Sequence, residues 1–154
     1  MTPPGPVTRS GTDPTGAIVV VFILAIGALI VLPIHACSAA SRDTALQFAL
    51  GVHGREEATV TRLALEPLAG SVLRCLKGAC EGPAAKATQA TLAASRVEST
   101  VNIGINGDHC VELLAQQGDL TTRLYVQVHE QQADRWQVKA FCTDRSDCPA
   151  CDVP

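Results

Sequence analysis

The segment Ala17–Ile34, AIVVVFILAIGALIVLPI, constrains this chain more than any other. Eighteen residues run without a charge, a hydroxyl or an amide. At about 1.5 Å of rise per residue, a helix of that length spans roughly 27 Å, close to the hydrocarbon thickness of a bilayer. The segment has three readings: an uncleaved membrane anchor, a cleaved secretory signal ending among Ala36, Ser38, Ala39 and Ala40, or a lipoprotein signal whose Cys37 receives lipid. Ile34-His35-Ala36-Cys37 resembles a loose lipobox, although His35 stands where a small residue belongs. The length of the apolar run favours the anchor. Residues 16–36 then form a transmembrane helix, and Pro33 near its end is tolerated there.

Residues 1–15 hold Pro3, Pro4, Pro6 and Pro14 with Gly5 and Gly11, a density that sustains neither helix nor ladder. They read as a disordered cytoplasmic tail. Arg9 on one side and Arg42-Asp43 on the other nearly balance the positive-inside signal. The cysteines decide the orientation. Cys75, Cys80, Cys110, Cys142, Cys148 and Cys151 all follow the apolar segment, and an even set of cysteines beyond a membrane segment implies disulfides in an oxidising compartment. Cys37 at the membrane boundary stays outside this set. Cys75 and Cys80 bracket the turn C-L-K-G-A-C and are the first pairing to expect; the other partners stay open.

Beyond the anchor, 11 Lys/Arg stand against 14 Asp/Glu with no basic run, which excludes a nucleic-acid partner. Ser41 reads as an N-cap, followed by a helix with Leu46, Ala49, Leu50 and His53 at helical spacing and Phe48 and Val52 beside them. Arg55–Leu76 is a second helical stretch, with Val60, Leu63, Ala64, Leu68, Val72, Cys75 and Leu76 on one face. Pro67 should kink or split it, and Lys77-Gly78 ends it. Ala84–Ala94 is an alanine-rich third helix.

Four alternating stretches follow. Val101, Ile103 and Ile105 mark the first strand, and Asn106-Gly107 a hairpin turn. Val111, Leu113 and Ala115 mark the second. Leu120, Thr122, Leu124, Val126 and Val128 point inward from the third, with Arg123, Tyr125, Gln127 and His129 outward. Trp136, Val138 and Ala140 point inward from the fourth, Arg135–Cys142. The expectation is an α+β domain over residues 41–143, helices packed on a four-stranded antiparallel meander. Residues 144–154 form a polar tail held by its cysteines.

This order of elements resembles the nuclear-transport-factor-2-like (SnoaL-like) cone fold. The resemblance lies in Asp134-Arg135-Trp136-Gln137-Val138 of the closing strand and in the opening helix Ala45–Leu50. It implies a small bacterial-type domain hung from a single helix in an inner or cell membrane. Enzymes of that family need acidic and tyrosine groups inside the cone; Tyr125 is the one tyrosine and is placed outward, so no catalytic residue carries over. The chain also resembles type IV pilin-like proteins, through Thr15-Gly16 before the apolar helix, a four-strand sheet and C-terminal cysteines. Val21 stands where major pilins carry glutamate.

Cys148-Pro149-Ala150-Cys151 is a C-x-x-C without the following helix that lowers a redox thiol pKa, and Asp152 replaces the histidine of a haem attachment. Cys142, Cys148 and Cys151 with His109 or His129 form an alternative zinc set. No catalytic, cofactor or metal residue is assigned. The sequence reads as a single-pass, extracytoplasmic, non-catalytic binding or accessory subunit of a membrane or envelope complex, with a pilin-like filament or secretion-system subunit second and a cone-fold enzyme third.

Overall fold

The alternating stretches form one antiparallel sheet in the order β1–β2–β3–β4: β1 Arg96–Ile105, β2 Asp108–Gln117, β3 Leu120–Gln132 and β4 Arg135–Cys142. The structure, a computed structural model, describes residues 39–105, 107–132 and 135–152, and of residues 101–105 the backbone alone. The tail 1–15, the apolar segment 16–36, Cys37, Asn106 and the inward set Val101, Ile103 and Ile105 lie outside the described residues or side chains. Among the described residues, no helix is long and apolar enough to cross a membrane. Helix α1 (residues 39–53), α2 (Glu57–Leu63), α3 (Leu68–Leu76) and α4 (Ala85–Ala93) cover one sheet face, so the domain is α+β.

The buried stripe of α1 is Ala45, Phe48, Ala49 and Val52, spaced i, i+3, i+4 and i+7 as a core-facing helix requires. Leu50, expected inward on a stripe with Leu46, Ala49 and His53, is 45% exposed. Ser41 is not an N-cap, because residues 39 and 40 are already helical; it is buried and meets the sheet. The α1 helix ends with Glu56 N–H donating to Gly51 O (2.8 Å) and Arg55 N–H to Val52 O (3.1 Å). This is a Schellman turn with Arg55, at φ 57°, in the position glycine usually takes. The Arg55 guanidinium reaches the Leu76 carbonyl at the end of α3 (3.4 Å), where a cation suits the helix dipole.

Pro67 splits the second helical stretch into α2 and α3. Between them Ala64 forms a parallel bridge to Val138, and Leu65 N–H donates to Val138 O (2.8 Å). The α3 helix closes on a second Schellman turn, Ala79 N–H to Arg74 O and Gly78 N–H to Cys75 O, with Gly78 at φ 98°.

Val111, Leu113 and Ala115 of β2 face the helices as alternation predicts. In β4 the alternation breaks. Gln127 pairs with Ala140 but Val128 with Val138, which leaves Lys139 as an extra residue. Such a bulge sends the side chains beyond it to opposite faces from those alternation assigns. Trp136 and Val138 face the core, and Phe141 follows them in place of Ala140. Ala140 packs on the other face, with Tyr125 and the cysteines Cys110, Cys142, Cys148 and Cys151. Leu120, expected inward, is 63% exposed at the tip of the β2–β3 hairpin. Gln127, expected outward, is only 4% exposed. Two 3₁₀ turns follow, Arg145–Asp147 and Pro149–Cys151, and the second lies against β2 and β3 on the cysteine-bearing face.

The Phe48 and Phe141 rings meet edge to face at 5.3 Å, joining α1 to β4 across a core otherwise rich in Val, Leu and Ala. Phe48→Ala should cost about 3–5 kcal/mol in urea unfolding, and Leu50→Ala less than about 0.5 kcal/mol. Equal losses at the two positions would contradict the face assigned to α1.

Candidate functional site

The six cysteines read from the sequence are joined as Cys75–Cys80, Cys110–Cys151 and Cys142–Cys148. The first closes the turn after α3. The other two have Cα separations of 5.1 and 6.0 Å and tie the C-terminal segment to β2 and to the end of β4. Cys148 and Cys151 bond to different partners, so their C-x-x-C is not one redox pair. The thiolates a zinc site would need from Cys142, Cys148 and Cys151 are held in disulfides, and no group of His, Cys, Asp and Glu among the described residues has metal-site geometry. Asp144 fixes the first 3₁₀ turn by accepting from Ser146 N–H (3.1 Å) and Ser146 Oγ–H (2.9 Å), which holds its carboxyl below the usual range. The Arg145 Nε–H donates to the Cys151 carbonyl, closing the segment on itself.

Beside this segment lies a cavity of about 430 Å³, between α3, the 81–84 loop, the outer edge of β4 and the first 3₁₀ turn. Its floor is apolar and buried: Leu68, Ala84, Phe141 and Cys142. Arg74 and Lys139 bring positive charge to its lining, Glu81 and Asp147 negative charge. β4 is an edge strand, and the chain's own Ala64–Leu65 segment pairs with it only at Val138. Pro67 then turns the chain into α3, and the cavity runs beside residues 139–142, where that pairing stops. The bulge that carries Phe141 into the floor also presents Lys139 to the cavity. Ser71 Oγ–H donates to the Glu81 carbonyl (3.2 Å), steadying the loop opposite β4. Apolar floor, charges of both signs and a strand edge suit recognition of a side chain or peptide segment. The contributing residues come from four separate stretches. No local pattern marks them, and sequence reasoning missed the cavity.

The two strand histidines take different roles. His109 Nδ1 lies 2.9 Å from Ser41 Oγ, and its ring packs against Trp136 at a tilt of 58° with centroids 4.6 Å apart. Burial pushes its pKa below the ordinary value, partly opposed by the Glu130 and Asp108 carboxylates. Ser41 is fully buried, so this serine–histidine pair fastens α1 to the sheet and offers no accessible nucleophile. His129 Nδ1 lies 2.7 Å from Asp108 Oδ1, and Lys139 Nζ lies 3.7 Å from Asp108 Oδ2. Tyr125 is half-buried beside the cysteines.

No family model, curated protein or solved structure matches this chain.

The folded state resists protonation of His109. Its contribution to stability is complete above the unfolded pKa near 6.5, falls as pH drops through that value, and is fully lost below the lower folded pKa. The His109 contribution should therefore make unfolding free energy decline as pH falls through about 6.5, and the decline should be shallower in His109→Gln. Identical pH slopes for the two proteins would contradict the assignment.

Proposed function

We propose that this chain is a single-pass membrane protein whose disulfide-bonded α+β domain works outside the cytoplasm as a non-catalytic binding or accessory subunit. Residues 1–15 form the cytoplasmic tail and residues 16–36 the anchor. The observation that carries the reading is the fate of the cysteines: all six from Cys75 onward are engaged in disulfides, the chemistry of an oxidising compartment. The cavity beside β4 is the partner site of this reading. The extracytoplasmic face of a bacterial-type inner or cell membrane is its location, and a protein of a membrane or envelope complex is its partner. The cone-fold resemblance belongs to the same proposal. It supplies the idea of a small domain hung from one helix and contributes no catalytic group.

A pilin-like filament subunit is a second reading. The four-stranded meander, a helix already running at residue 39 and disulfides in the C-terminal segment favour it. Intact mass separates the two. The accessory subunit retains its N-terminal residues, whereas a pilin-like subunit is processed after Gly16. A mature form beginning at an acylated Cys37 would instead establish the lipoprotein alternative.

A reporter active only outside the cytoplasm, fused after Pro154, should be active in cells expressing the whole chain. Activity of the matching cytoplasmic reporter in its place would overturn the location and the partner class together.

A further inference from the structure

The outer edge of β4 is used by the chain itself at one point. Leu65 N–H donates to Val138 O beside the parallel bridge of Ala64 to Val138, and Pro67 then turns the chain away into α3. Beyond Val138, among the described residues, no backbone group of 139–142 is bonded on that outer side. A bulge and a lysine are ordinary guards of a strand edge against stray pairing, and Lys139 supplies both. A guarded edge needs no apolar recess beside it. Here α3 and the 81–84 loop line the cavity opposite the edge, and Leu68, Ala84 and Phe141 form a buried floor between. A free strand edge facing a helix across an apolar floor is the geometry that takes an extended peptide as an added strand.

We propose, on the reading of this cavity as the partner site, that β4 takes an extended peptide of the partner protein as an added strand along residues 139–142. An apolar side chain of the peptide sits on Leu68 and Phe141, an acidic one beside Lys139 and a basic one beside Asp147. The own-chain bridge sets the direction: Ala64–Leu65 runs parallel to β4, and the peptide takes up the same track where Pro67 leaves it. The charges set the order. Lys139 lies at the end of the free edge nearest the bridge, and Asp147 lies in the 3₁₀ turn that follows β4; both are exposed and both line the cavity. Lys139 Nζ is 3.7 Å from Asp108 Oδ2, and Asp147 has no ion pair among the described residues. Arg74 and Glu81 face β4 with opposite charges, so that wall adds no net preference. Side chains on one face of a strand recur every second residue, which gives acidic, apolar and basic residues at i, i+2 and i+4 of the peptide. The cavity, about 430 Å³, falls within the roughly 300–1,000 Å³ of pockets that bind ligands.

The full chain in maltoside micelles is titrated into a fluorescein-labelled, end-capped peptide, Gly-Glu-Thr-Leu-Thr-Lys-Gly, and anisotropy is read. Saturable binding is expected, and the same peptide with Glu and Lys exchanged should bind about tenfold more weakly. Asp147→Lys, first shown to melt with the parent, should weaken the original peptide about fivefold, and Glu in place of the peptide's Lys should recover the loss. In a parallel pair, alternate residues of the added strand turn their N–H to the edge. N-methylation at one alternate set of peptide residues should therefore abolish binding, and at the other set leave it within about twofold. Saturation without that alternation overturns strand addition and leaves the cavity as a partner site for side chains alone. No saturation by about 1 mM peptide, or equal binding of the exchanged peptide, also overturns the proposal. So does an unliganded dimer that Asp147→Lys disperses, because a second copy then occupies the edge. The titration is blind to which side of a membrane the domain faces, and the reporter fusion is blind to the edge, so the two readings fail separately.

Discussion

Two covalent bonds hold the last stretch of this chain over a sheet face that would otherwise meet water. An antiparallel sheet commonly leaves one face wet. Here the face opposite the helices carries Cys110, Tyr125, Ala140 and Cys142, and Cys148 and Cys151 fold back onto it to make a second, sulfur-rich core. The bond from Cys110 to Cys151 spans 41 residues, and the bond from Cys142 to Cys148 spans 6. In the chain-entropy model the longer loop contributes about 4 kcal/mol and the shorter about 2. Against a total stability of about 5–15 kcal/mol these are large shares. The core on the helix face has few aromatic rings to add, Phe48, Phe141 and Trp136, and the rest is Leu, Val and Ala. The sheet is therefore held from both sides, by packing on one and by sulfur on the other.

The bulge at Lys139 links that architecture to the candidate site. Without the extra residue, Ala140 would face the helices, and Phe141 would turn to the cysteine side. With it, Phe141 meets Phe48 and floors the cavity, Ala140 and Cys142 join the sulfur cluster, and Lys139 reaches both the cavity and Asp108. The own-chain bridge at Val138 covers the edge of β4 just before the bulge and leaves it after. One inserted residue thus fixes the register of the core and the composition of the cavity wall.

Much of the fold was legible in residue periodicity. The inward set of β2, the bounds of β4, the break at Pro67 and the helix end at Gly78 all follow from local rules that tertiary context did not override. The misplaced side chains have physical reasons. Alternation cannot reveal a bulge, so Ala140 was assigned the side that Phe141 occupies. Helical spacing alone admits several stripes on α1, and packing chose the one containing Ala45 and Phe48 over the one containing Leu50. Gln127 sits on the face assigned to it but is buried because a distant segment covers that face. The candidate cavity joins side chains far apart in sequence, Pro67 with Asp147, and only three-dimensional packing brings such a set together.

The central claim is the connectivity that staples the C-terminal segment across the sheet. Proteolysis of the unreduced protein at a pH that prevents exchange, followed by mass analysis of the linked peptides, tests it directly. The account predicts linked peptides for Cys75–Cys80, Cys110–Cys151 and Cys142–Cys148 and for no other pairs of these six. A peptide with Cys148 joined to Cys151, or these cysteines recovered as free thiols, would contradict it.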